Sequence, residues 1–183
     1  MNQQLKIPPS HNKLCREGAL ERLSRHGIEG KRVYLIDLIP LIEMIWAGGQ
    51  VKAEKIDFLY NFIKRHINHI NRLAGYVVLS MADAINFTGP YLNSRPNMAL
   101  LKKLRECIIP VRIGVVRNDY GDIMARRIVV ACLNILSITL AQYPHELQNT
   151  CCLEERDMYL DIMQTFGTYY FKEDKPISEW IIQ

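Results

Sequence analysis

Between residues 52 and 71 the apolar side chains Ile56, Leu59, Ile63, Ile67 and Ile70 recur at intervals of three and four, the spacing that lines one face of an α-helix. A stripe of that length cannot stay in water, so the rest of the chain must supply a surface to cover it. Two other stretches are apolar enough to do so. Residues 33–47 are interrupted only by Asp37, Pro40 and Glu43. Asp37 is placed to cap a helix that tolerates Pro40 in its first turn, where backbone donors lack intrahelical partners, and a kinked helix is the other reading. Residues 122–143 form the second stretch, apolar on nearly every face from 128 to 140, which predicts a helix running through the centre.

Shorter elements fill the intervals. Residues 12–27 form an N-terminal amphipathic helix carrying Leu20 and Leu23, and Gly27 is placed to end it. Residues 81–87 and 98–108 read as short helices separated by Thr88-Gly89-Pro90 and Asn93-Ser94-Arg95-Pro96 loop signals, with Pro110 closing the second. The only strand-like segment, 111–116, would have no strand to pair with and is assigned turn or helix. Residues 153–166 form a last long helix closed by Gly167, and Ser178 can cap a closing turn that docks Trp180 and Ile181. The fold class is all-α, a compact bundle of about seven helices. Residues 1–183 form one domain with its core at 31–167, flanked by the N-terminal helix at 12–27 and a C-terminal segment at 168–183.

With 183 residues, 49% of them apolar, the chain can bury a sizeable core. Its net charge of +4 is too small for a histone-like or tail-driven nucleic-acid binder. Five scattered cysteines, an odd number without metal-site spacing, point to a reducing compartment, and the expected location is the cytoplasm. Residues 1–9 carry only Lys6 and no signal-peptide core, so export is not expected. The charge-free run 128–145 is short for a bilayer and contains Asn134, Ser137, Thr139 and Gln142, so no membrane span is expected.

The chain also echoes itself, suggesting a pseudo-twofold pair of helical hairpins. Leu38, Leu41 and Ile45 repeat as Leu133, Leu136 and Leu140, and Glu54-Lys55-Ile56-Asp57-Phe58-Leu59 as Glu155-Arg156-Asp157-Met158-Tyr159-Leu160, with the second connection six residues longer. Trp46-Ala47, Gly49, Val51 and Glu54 follow the apolar helix in an order that resembles the tellurite-resistance protein TerB family and the related domain of membrane-anchored DnaJ-like co-chaperones. In that family the helix runs into Ala-Asp-Gly and then into a polar helix start with one or two glutamates. The resemblance implies an all-helical fold whose acidic elbows hold a divalent cation, together with a role in stress or tellurite resistance. Two positions depart from the pattern. Gly48 stands where the loop aspartate would be and Lys55 where a second glutamate is common, while the second elbow, residues 142–146, offers only Glu146. A hard cation needs about six to eight oxygens, so no metal is expected here.

The remaining constellations are ordinary. His66 and His69 lie one helical turn apart but lack the further ligands a metal needs, and they sit with Arg65 and Arg72 where the helix dipole favours cations. Cys151-Cys152 reads as a reduced pair at the start of a helix. Asp37, Glu43 and Asp83 stand in apolar surroundings and would matter if they converged on a cleft. No nucleotide loop, zinc-protease helix or nucleophile elbow occurs in the chain, so no catalytic residue and no cofactor is assigned. The function expected is a non-enzymatic interaction module with protein partners, its groove formed by Trp46, Gly49, Gln50, Glu54, Tyr143, Glu146 and Glu155. The alternative is a nucleic-acid-associated protein using Lys102, Lys103, Arg105, Arg112, Arg126 and Arg127. That stretch is basic, whereas 146–161 is acidic through Glu146, Glu154, Glu155, Asp157 and Asp161.

Overall fold

A computed structural model describes residues 14–114, 120–142 and 150–170, and among these every regular element is helical. The α-helices are α1 (Arg16–Ser24), α2 (Ile39–Ala47), α3 (Ala53–Ala74), α4 (Met81–Leu92), α5 (Met98–Arg105), α6 (Tyr120–Gln142) and α7 (Thr150–Tyr170). A 3₁₀ segment, Gly30–Leu38, leads into α2, and a π-turn, Ile109–Ile113, follows α5. The expected strand-like segment is thus helical as far as Ile113, and residues 115–116 lie outside the described residues.

The centre of the bundle is α2, not α6. Eight of the nine residues of α2 are buried, and it packs against α3, α5, α6, α7 and the 3₁₀ segment. In α6, by contrast, Val130 is 53% and Leu133 45% exposed. Sequence apolarity marked both helices as central, but only α2 is surrounded. Asp37 does not cap α2: it lies within the 3₁₀ segment, and α2 starts at Ile39 with Pro40 in its first turn. The stripe on α3 is met by α2, α4 and α6, with Leu59, Ile63, Ile67 and Ile70 buried.

Two loop signals are overridden by packing. Helix α4 continues through Thr88-Gly89-Pro90 to Leu92, because Phe87 and Thr88 are buried and the Thr88 hydroxyl bonds back to the Ala84 carbonyl at 2.9 Å. Helix α7 passes Gly167, where a mid-helix glycine costs about 1 kcal/mol. Burying Ile162 and Phe166 completely in the preceding turns outweighs that cost. The helix expected over 98–108 ends at Arg105, and the π-turn that begins at Ile109 takes up the chain around Pro110. Ser178, Trp180 and Ile181 lie outside the described residues.

The register read for the internal echo does not fit the burial of α3 and α7, where a shift of one residue fits better. Leu59 is fully buried whereas Leu160, its expected counterpart, is 54% exposed. The inward positions of α3 and α7 match as Lys55 with Glu155, Leu59 with Tyr159 and His66 with Phe166. The apolar letters alone cannot distinguish neighbouring registers of a helix in which consecutive residues are both hydrophobic. No helix of the described residues is long and apolar enough to cross a membrane.

Candidate interaction site

The corrected register brings a lysine and a glutamate face to face. Lys55 Nζ, fully buried on the first turn of α3, donates to Glu155 Oε1 on α7 at 2.6 Å. Thr139 Oγ1 on α6 donates to the same oxygen at 3.2 Å. Gly48 closes the cell: a Cβ built there would stand 2.5 Å from Glu155 Oε1, so a side chain of any kind would displace the carboxylate. The ammonium supplies, from within the chain, the positive charge this buried carboxylate requires. Glu155 Oε2 is buried without a hydrogen-bond partner among the described residues, and a single ammonium therefore satisfies only half of the group.

Further ion pairs tie other acids of the 3₁₀ segment, α2 and α7 to cations of α5 and the π-turn. Arg105, fully buried on α5, donates from Nη1 to Glu43 Oε2 of α2 at 3.1 Å and from Nη2 to Asp161 of α7, which also accepts from Lys102 Nζ at 2.9 Å. Burial pushes Glu43 up to about 7 against the pull of Arg105. Burial would raise Asp161 too, but its bonds to Lys102 and Arg105 hold it below the usual carboxylate range. On the other side of α2, Arg112 donates from Nη2 to Asp37 at 3.0 Å while its guanidinium lies 4.7 Å from the centre of the Tyr34 ring. His66 Nε2 approaches the Tyr34 carbonyl at 2.9 Å and Asp37 Oδ2 at 3.6 Å. Donation to a carbonyl requires the proton on Nε2, and burial keeps this imidazole below its ordinary pKa.

These contacts redistribute the expected site residues. Arg105 and Arg112 are not an anion-binding surface, since each neutralises a buried carboxylate of the 3₁₀ segment or α2, and Lys102 is engaged by Asp161. Lys103 stands on α5 and Arg126 and Arg127 on α6, so these cations belong to two helices. Glu155 is not a groove contact, being buried against Lys55. Gly49 turns the chain after α2 with φ of 77°, Gln50 is exposed, and Glu54 is exposed in the first turn of α3. Tyr143 and Glu146 lie outside the described residues, as do the side chains of Cys151 and Cys152. His69 is only partly buried, and no group of three or more metal-ligating side chains occurs among the described residues. Burial pushes the Cys107 thiol up to about 11, and Cys132 is raised further by the same cause.

Among the described groove residues, Trp46 lines a pocket to which Gly49, Gln50, Glu54 and Glu155 do not contribute. The pocket has a volume of about 420 Å³ and is bounded by Trp46 and Ala47 at the end of α2, Arg95 between α4 and α5, Met98 at the start of α5, and Glu154, Asp157, Met158 and Asp161 on α7. The indole is fixed, because Nε1 donates to the Tyr91 carbonyl at 2.8 Å. Asp157 is bonded to Arg156 at 2.8 Å. The run of acids on α7 was visible in the sequence, but nothing there placed it against Trp46, since that depends on α7 crossing the end of α2. Comparison with protein-family models, with curated proteins and with solved structures gives no match for this chain.

Proposed function

We propose that the protein is a non-enzymatic, TerB-like interaction module of the cytoplasm, serving stress or tellurite resistance and receiving a segment of a partner protein at the Trp46 pocket. The observation that carries this reading is the pocket itself, lined by a fixed indole and two methionines together with charged side chains of both signs, the mix of apolar anchor and polar groups that protein recognition uses. The buried acids favour binding over chemistry, because Asp37, Glu43 and Glu155 are each spent on a cation of the same chain. In this reading Lys55 does for the two hairpins what a divalent ion does in the family it resembles, tying one elbow to the other.

The test is capture from native lysate with wild-type protein and with Trp46→Ala and Glu154→Arg, both checked for a wild-type melting curve. Partners enriched by the wild type and lost with both variants support the pocket. The same partners retained by both variants overturn it.

A further inference from the structure

The corner joining α3 to α4 displays the most exposed large apolar side chains among the described residues: Val77 at 77%, Tyr76 at 70% and Leu73 at 59%. Met81 and Ile85, one turn apart on α4, are also exposed. This corner is firmly built. Asn71 Oδ1 accepts from the backbone N–H of Val78 at 2.8 Å and of Leu79 at 3.0 Å, and its Nδ2 donates to the Leu79 carbonyl at 2.8 Å. Gly75 ends α3 with φ of 76°, a value few other residues adopt. Ser80 and Asp83 form a reciprocal capping box at the start of α4, and Leu79 is buried as the plug between them. The apolar side chains are therefore carried between two fixed points, Gly75 bonded to the Asn71 carbonyl and Val78 and Leu79 bonded to the Asn71 side chain, which limits the ordering entropy of presenting them to a partner.

The chain on either side of this corner is predominantly basic. From residue 58 to 101 the sole acid is Asp83, and Lys31 Nζ takes it at 2.8 Å. Arg72 stands beside Leu73 in the last turn of α3, and exposed Lys64 and Arg65 lie two turns earlier. His69 is held below its ordinary pKa first by burial and then by nearby cations, Arg127 of α6 and Arg72 of α3 foremost. A second copy of this chain would bring the same cations against themselves, whereas a surface with an apolar interior and anionic head groups complements both features at once.

We propose that the α3–α4 corner is a membrane-docking tip that inserts Leu73, Tyr76 and Val77 into the interfacial layer of an anionic bilayer while Arg72 and its neighbouring cations engage the head groups. The tyrosine suits that depth, being apolar in body and polar at its end.

Flotation of the full chain with vesicles of phosphatidylcholine alone and of phosphatidylcholine mixed with phosphatidylserine tests this. The wild type is expected to float with the mixed vesicles and to be released by high salt. Tyr76→Ser combined with Val77→Ser should reduce partitioning on the order of tenfold or more, and Arg72→Glu should weaken it on anionic vesicles only. Trp46→Ala should float like wild type, which separates this surface from the pocket. Tyr76→Trp should show added quenching by brominated lipid. Failure to float, equal flotation of the wild type and the double-serine variant, or indifference to phosphatidylserine overturns the proposal. So does a wild-type dimer in light scattering that the double-serine variant abolishes, since the tip would then be a self-association surface.

Discussion

The interior around α2 and the corner between α3 and α4 invert the usual placement of side chains in opposite directions. Around α2, Asp37, Glu43, Lys55, Arg105 and Glu155 are buried. At the corner, Leu73, Tyr76 and Val77 are out in solvent. Each buried charge has a partner within the chain, so its role ends inside the fold. The exposed apolar groups are left largely uncovered among the described residues, while Asn71 ties down the adjoining backbone at Val78 and Leu79. A feature that costs stability and is compensated internally serves the architecture; one that is rigidly displayed and uncompensated looks outward.

The sharpest test of the inner half is Lys55→Met, which leaves Glu155 as an uncompensated buried charge. A loss of about 3–5 kcal/mol is expected by urea denaturation, and adding Glu155→Leu should restore most of it. A wild-type midpoint for the single variant would show that the pair holds nothing together.

The next effect is a slope with pH. Glu43 has a folded pKa of about 7 against an ordinary 4.5, so the native state keeps a proton that the unfolded chain releases between those values. Its stabilisation is complete below pH 4.5 and is lost as pH rises through 7. His66 and His69, both held below 6.5, act in the opposite sense, since the unfolded chain binds their protons more readily. Glu43→Gln should remove the falling component and leave stability rising through pH 6.5, as read from urea midpoints across that range.

Gly48→Ala comes next. Its Cβ would press on Glu155 Oε1, and a loss of about 1–3 kcal/mol is expected, measured as a lowered melting temperature. Asn71→Ala should cost about 1 kcal/mol and raise amide hydrogen exchange at Val78 and Leu79, whose N–H groups it frees. Smallest of all, Tyr76→Ser with Val77→Ser should leave stability within about 0.5 kcal/mol of wild type, as expected where side chains touch little else. A large loss there would erase the contrast between the two regions.

The helices were legible in the sequence because periodicity reports burial on one face. The stripe from Leu59 to Ile70 and the first-turn position of Pro40 are where spacing put them. Periodicity says nothing about how much of a helix is surrounded, and so α6 and α2 looked alike until packing separated them. Thr88-Gly89-Pro90 and Gly167 were misleading for a related reason: local breakers lose to the tertiary burial of Phe87 and Phe166. The charged interior was hidden more deeply. Arg105 and Arg112 belong to a basic run by sequence, and only the meeting of α5 and the π-turn with α2 and the 3₁₀ segment turns them inward. Trp46, named from its place beside the first elbow, does line the pocket, while Met98 and Met158, which line it too, were not singled out in the sequence.

The contact between Gly48 and Glu155 makes three positions a single unit of variation. Substituting any one of Gly48, Lys55 or Glu155 alone leaves either a collision or a stranded charge, so a library of single changes would score all three as intolerant. Paired libraries would behave differently: an apolar residue at 55 together with a shorter side chain at 155 opens room at 48. The route by which this cell could come to hold anything other than its own ammonium therefore passes through coordinated, not solitary, replacement.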